Sequence, residues 1–173
     1  QLCIGNLQDA VKTLSDAESK FGPDVDLAVL SARVNLFLAN FEQALGFIEQ
    51  ALSLDRNNPA AMGLKALILL DMDSLPAASD MADKCLVSHP DQHEALLTAG
   101  TLSLWRQNVV AAEDQFTRAL SRFPNSGRAL SGLGQVFMLR NGLPQARVML
   151  GKAVLAMPDH IGTWHALAWT QLL

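Results

Sequence analysis

The sequence predicts an all-α protein, a stack of antiparallel helical hairpins, and three observations predict it. Ala10, Ala44, Ala78, Ala112 and Ala146 recur at intervals of 34 residues. Two series run in phase with them: small residues seven places on, at Ala17, Ala51, Cys85, Ala119 and Ala153, and mostly larger ones four places on, at Leu14, Ile48, Ala82, Phe116 and Leu150. Between these markers apolar residues recur every three or four positions, the period of an amphipathic helix, while Pro90, Pro124 and Pro158 keep the same long interval.

Taken in order, residues 1–24 read as the second helix of a hairpin, opened by the turn-type residue Asn6 and closed by Gly22-Pro23. Full hairpins follow at 25–58, 59–92, 93–126 and 127–160, and the first helix of a further one starts at 161, so that residues 1–173 read as one array. Within each hairpin a turn residue, Asn40, Ser74, Asn108 or Gly142, stands four places before the alanine, suited to ending one helix and opening the next. Pro76 and Pro144 fall at the start of second helices, where a missing N–H costs little. Helices of about 12 to 14 residues joined by short turns result. In 59–92, Lys65 takes a place that is small or apolar in most other hairpins and Ala82 replaces a bulkier residue, so this hairpin is expected to pack most loosely. The last segment, "IGTWHALAWTQLL", is rich in Trp and Leu with no second helix to cover it. A longer parent array is expected on that ground, or self-association into a homo-oligomer through open solenoid ends.

Composition narrows the function classes. Leu, Ala and Gln abound, Tyr is absent, and strand-favouring Val and Ile are thinly scattered. With a formal net charge of -4 and no Lys/Arg cluster, no nucleic-acid partner and no polybasic membrane patch are expected. No run of about 18 apolar residues occurs, so direct membrane insertion is not expected either. Cys3 and Cys85 are too few for a disulfide framework and leave the compartment open.

Cys85, His89 and His93 lie four positions apart, and thiolate and imidazole at helical spacing are what a zinc or copper site uses. Pro90 interrupts that spacing, so the two histidines do not share a helical face. A buried reduced cysteine and two solvent-facing loop histidines are expected instead of a metal site. His160 and His165 bracket the start of the last helix without a nucleophile pattern near them. "SGLGQV" at 131–136 looks like part of a dinucleotide motif but falls inside a helix, where Gly132 and Gly134 fit close helix packing better.

Pieces of a longer pattern, W-x2-L-G-x2-Y then A-x3-F then P, occur in phase: Trp164-x2-Leu167, Leu133-Gly134-x2-Phe137, Ala112-x3-Phe116 and the prolines. On these residues the chain resembles the tetratricopeptide-repeat family. It departs from the pattern at the Trp place, held by Ala28, Met62, Leu96 and Leu130 before Trp164, and at the Gly place, held by Ala32, Ala66 and Ala168 besides Gly100 and Gly134. The resemblance implies a right-handed superhelical solenoid of helix-turn-helix repeats, no catalysis and no cofactor. It further implies a concave groove, lined by first helices, that holds a partner's peptide or helix.

Carried onto this sequence, the groove positions are Asp26, Val29 and Arg33, then Gly63, Leu67 and Leu70, then Glu94, Leu97, Thr101, Leu104 and Trp105, then Arg128, Ser131, Gln135 and Met138, and finally His165 and Trp169. Family members that grip a C-terminal carboxylate carry Lys, Asn and Arg at such places, and the ninth positions here, Arg33, Leu67, Thr101, Gln135 and Trp169, lack that clamp. A protein or peptide partner with an apolar or amphipathic segment is therefore expected, oriented by Arg33 and Arg128. Arrays of this kind are also fused to enzymes and to bacterial secretion or assembly components, which is the second reading; short turns and a Leu/Ala/Gln-rich composition suit a bacterial member.

Overall fold

Local chemistry at the turns sets the helix boundaries. A computed structural model describes residues 2–172, with side-chain surroundings from Asp9 onward. The described residues form ten helices and no strand: α1 (Leu2–Phe21), α2 (Val25–Phe37), α3 (Phe41–Leu54), α4 (Pro59–Asp71), α5 (Leu75–Ser88), α6 (His93–Trp105), α7 (Val109–Arg122), α8 (Gly127–Leu139), α9 (Leu143–Ala156) and α10 (Ile161–Leu172). They fall into two compact units, Gln1–His89 with α1 to α5 and Pro90–Leu173 with α6 to α10.

First helices other than α8, whose N-cap residue Ser126 makes no cap bond, open on side-chain caps. Asp24 accepts from the Asp26 and Leu27 amides at 2.9 and 3.0 Å, Asn58 from Ala61 at 3.0 Å, and Gln92 from Ala95 at 2.7 Å. His160 does the same for α10, its Nδ1 accepting from the Thr163 amide at 3.2 Å. Each such bond satisfies one of the donors a helix start leaves orphaned.

First helices end on a common turn. Ala39, Asp73, Gln107 and Asn141 take φ values of 59, 60, 58 and 60°. The following amide reaches back five residues: Asn40 to Asn35 O (2.9 Å), Ser74 to Leu69 O (2.9 Å), Asn108 to Ser103 O (2.8 Å) and Gly142 to Phe137 O (2.8 Å). This is the Schellman geometry, which satisfies carbonyls at the helix end. Asn40, Ser74, Asn108 and Gly142 thus do end one helix and open the next. The strain falls on the residue before each of them, never a glycine. A side chain there costs roughly 1–2 kcal/mol, against roughly 0.5–1 kcal/mol for the added chain entropy of glycine. Ala39→Gly and Gln107→Gly are expected to stabilise their units by about 0.5–1 kcal/mol. A raised urea midpoint would register it, and an unchanged or lowered one would show that these turns are not strained.

Asn6 behaves otherwise, and the expectation of a turn there is corrected: α1 runs from Leu2 straight through it. An asparagine inside a helix costs only about 0.7 kcal/mol relative to alanine, too little to end one by itself. Its side chain, like that of Cys3, lies outside the described set.

Second helices bury one stripe. Ala44, Ile48 and Ala51 of α3, Ala78, Ala82 and Cys85 of α5, Ala112, Phe116 and Ala119 of α7, and Ala146, Leu150 and Ala153 of α9 are each at most 2 % exposed. First helices are covered on more sides: α4 buries seven residues, from Ala61 to Leu70, because α2, α3 and α5 all pack on it. Lys65 is accommodated in that helix by half-burying its stem while its ammonium approaches Glu49 of α3 at 3.6 Å.

Within Pro90–Leu173 the packing is matched by size. The Phe116 ring lies between α6 and α8, so close that a Cβ on Gly100 would stand 2.7 Å from it and one on Gly132 2.3 Å. Leu150 occupies the corresponding space over Gly134, where a Cβ would come within 2.6 Å. The glycines of "SGLGQV" are thus places where the backbone makes room for a neighbour's side chain.

Candidate functional site

The sulfur and histidines of the 83–100 stretch have separate roles. Cys85 is fully buried in the small-residue stripe of α5. His89 Nε2 lies 3.2 Å from the Asn57 carbonyl. His93 is no solvent-facing loop residue: it is the first residue of α6, half-buried, its ring centroid 4.5 Å from that of Phe123 and its Nε2 3.1 Å from Ser126 Oγ. That Ser–His contact joins two helix starts, Ser126 being the N-cap residue of α8. Among the described residues no three His, Cys, Asp or Glu side chains gather as a metal site would need.

The first-helix positions form a graded surface. In Gln1–His89, where α2 and α4 pack side by side, Arg33 and Asp26 are exposed, but Val29, Leu67 and Leu70 are 8, 5 and 7 % exposed. In Pro90–Leu173, α8 touches both α6 and α10, so equivalent positions line up in rows across the three helices. Leu97, Glu94 and Ser131 are 4, 6 and 7 % exposed. Thr101 is half-buried with its hydroxyl donated to the Leu97 carbonyl at 2.9 Å, and Leu104 and Met138 are half-buried. Arg128, Gln135 and His165 are exposed, as are Trp105 and Trp169 at 56 and 55 %.

Two exposed apolar residues belong with these and escape a reading that follows the groove positions residue by residue. Leu139 closes α8 as Trp105 closes α6 and is 60 % exposed, and Phe37 closes α2 and is 77 % exposed. The 34-residue register was the available signal, since 37, 105 and 139 occupy one place in it. The row at the C-terminal ends of α6 and α8 therefore presents Trp105 and Leu139, with Leu104 and Met138 half-covered beside them. Such a surface is apolar in the middle and carries Arg128 and His165 nearer the helix starts. Burying this aromatic and aliphatic area against another apolar surface is what the arrangement can do physically.

No protein-family model matches the sequence. No curated protein matches it either. Solved structures do. A thermophilic TPR protein of Thermus thermophilus, TTC0263, superposes with a TM-score of 0.74 at 16 % identity, covering 99 % of this chain and 94 % of that one. A tetratricopeptide repeat protein of Parabacteroides merdae gives 0.61 at 21 %, covering 99 % and 68 %. YrrB, a TPR protein with an unusual peptide-binding site, gives 0.54 at 18 %, covering 95 % and 84 %. With its own 34-residue hairpin period, the common turn that closes its first helices and its small-residue stripes, this chain has the fold of the tetratricopeptide-repeat proteins.

Proposed function

We propose that the chain is a noncatalytic protein-interaction scaffold that holds an apolar or amphipathic peptide segment on the first-helix face of Pro90–Leu173. The observation that carries the reading is the exposure of Trp105, Leu139 and Trp169 on that face, at 56, 60 and 55 %. Large apolar side chains held on rigid helices bind at low entropic cost, and tryptophan is the residue most enriched among interface hot spots. Arg128 and Gln135, exposed on α8 between them, supply polar contacts that fix direction. The peptide-binding site of YrrB, a protein of the same fold, is a precedent for such use.

Leu67, in Gln1–His89, and Leu97, in Pro90–Leu173, each lie beneath the first-helix face of their own unit. At 5 and 4 % exposure they are core residues, and truncating either to alanine would cost about 2–5 kcal/mol of stability, confusing any binding test. Trp105 and Leu139 can be changed without that cost. Peptides selected for binding from a random 16-mer display library, a length of about four helical turns, are expected to carry apolar residues at helical spacing. They are expected to bind the Trp105→Ala/Leu139→Ala variant at least about tenfold more weakly, while the thermal midpoint stays within a few degrees. Selection of acidic, apolar-poor peptides, or binding indifferent to the double substitution, would count against the reading.

A further inference from the structure

Glycine 46 has the opposite surroundings to the glycines of α8. A Cβ built on it meets nothing within 4 Å, whereas Gly132 and Gly134 are each crowded by a neighbour's side chain. The open space beside Gly46 is a cleft of about 510 Å³ between α1, α2 and α3. Its volume falls in the range of small-molecule pockets, roughly 300–1,000 Å³.

The seam between α7, α8 and α9 is the repeat-equivalent place in the other unit, and its residues differ from those of the cleft. Leu120, Leu133, Phe137 and Val148 there correspond to Glu18, Ser31, Asn35 and Gly46 here. Four apolar side chains have been exchanged for one carboxylate, one hydroxyl, one amide and a hydrogen. At two of these places, Ser31 and Asn35, the exchange puts polar groups in buried positions, which costs stability unless they are hydrogen-bonded. Ser31 and Asn35 are 5 and 4 % exposed at the base of the cleft. The Asn35 amide donates to the Ser31 carbonyl at 2.9 Å and its Oδ1 accepts from Asn40 at 3.3 Å, so its orientation is held. Val11, Leu14 and Phe47 supply an apolar wall. Glu18 is the only charged side chain among the ten that line the cleft, and the Gln50 amide donates to its Oε1 at 2.6 Å, leaving Oε2 for a further donor.

We propose that this cleft binds an alkylammonium group, the ammonium at Glu18 and the alkyl chain along Val11, Leu14 and Phe47. Among the described residues no lysine, arginine or histidine lines it. The unit as a whole favours a cation: residues 1–89 hold twelve acidic and six basic side chains. A free amine and the lysine side chain of a peptide share this chemistry.

The test is a titration of the 173-residue chain, labelled with ¹⁵N, following the side-chain amide signals of Asn35, Gln43 and Gln50. Hexylammonium is expected to shift them saturably and to bind at least about tenfold more tightly than hexanol, which has the same chain without the charge. Glu18→Gln is expected to erase that tenfold difference. Gly46→Leu, whose side chain enters open space and whose backbone is an ordinary helix, is expected to abolish binding of both probes while keeping the native spectrum elsewhere. Spermidine binding as tightly as acetyl-Leu-Lys-Leu-amide assigns the site to free amines; a peptide preference of about tenfold assigns it to a lysine of a partner. Equal affinity for hexylammonium and hexanol, or no saturable shift with hexylammonium up to about 10 mM, a concentration that would reveal even a millimolar site, overturns the proposal. Neither outcome touches the first-helix face of the other unit.

Discussion

Phe116→Ala is expected to destabilise the Pro90–Leu173 unit by about 3–5 kcal/mol, at the upper end for a single truncation in a core. The reason is the identity of what surrounds the ring. Gly100 and Gly132 face it from α6 and α8, and neither has a side chain that could move into the hole. The cost of a cavity depends on how far the site can collapse, and here collapse would require two helix backbones to approach across α7. All three tryptophans, Trp105, Trp164 and Trp169, belong to this unit, so intrinsic fluorescence during urea denaturation reports on it directly. A loss below about 1.5 kcal/mol, the range of a conservative hydrophobic exchange, would mean that Phe116 is not the wedge between the two helices.

The converse substitution tests the same contact from the other side. Gly132→Ala places a Cβ 2.3 Å from the ring, which is pinned by Gly100 opposite, and an expected loss of about 2–3 kcal/mol follows from overpacking. Phe116→Leu withdraws the ring atoms that clash. The double variant Gly132→Ala/Phe116→Leu is therefore expected to be more stable than the two single effects added together predict, with a coupling of about 1 kcal/mol or more. Strict additivity would show that the strain of Gly132→Ala is relieved elsewhere. Gly46→Ala is the natural control: with nothing within 4 Å, it is expected to gain the roughly 0.5–1 kcal/mol by which glycine disfavours a helix interior.

These contacts explain a feature of the sequence that periodicity leaves unexplained. The family's Gly place is alanine at 32 and 66 and glycine at 100 and 134. Gly100 makes room for Phe116, sixteen places on, and Gly134 for Leu150; Ala66 suffices where that residue is Ala82, while Ala32 is accommodated beside Ile48, so size at that place does not by itself dictate glycine. Cys85 likewise occupies an alanine place because its volume fits there.

Helix positions, the small-residue stripes and the turn residues Asn40, Ser74, Asn108 and Gly142 were legible in the sequence. Capping, proline placement and apolar period act within a few residues, so the residues that cause them are neighbours in the chain. Asn6 shows the limit of that rule: the same residue type in the same frame did not make a turn, because a cap residue selects a helix end only when the backbone before it turns as well. The left-handed Ala39 and Gln107 went unforeseen for a related reason, since intrinsic preference points to glycine there and the hydrogen bonds of the closing turn outweigh it.

Which of the groove positions face solvent was decided by tertiary structure alone. Leu67, Leu97 and Trp105 share a face of their helices in sequence, yet the two leucines are 5 and 4 % exposed and the tryptophan 56 %. Accessibility depends on how neighbouring helices cover each row, and residues 34 or more positions away set that cover. Gly46 and Gly132 make the same point. Both are glycines inside helices, one beside an open cleft and the other against an aromatic ring, and only the side chains brought in by other helices distinguish them.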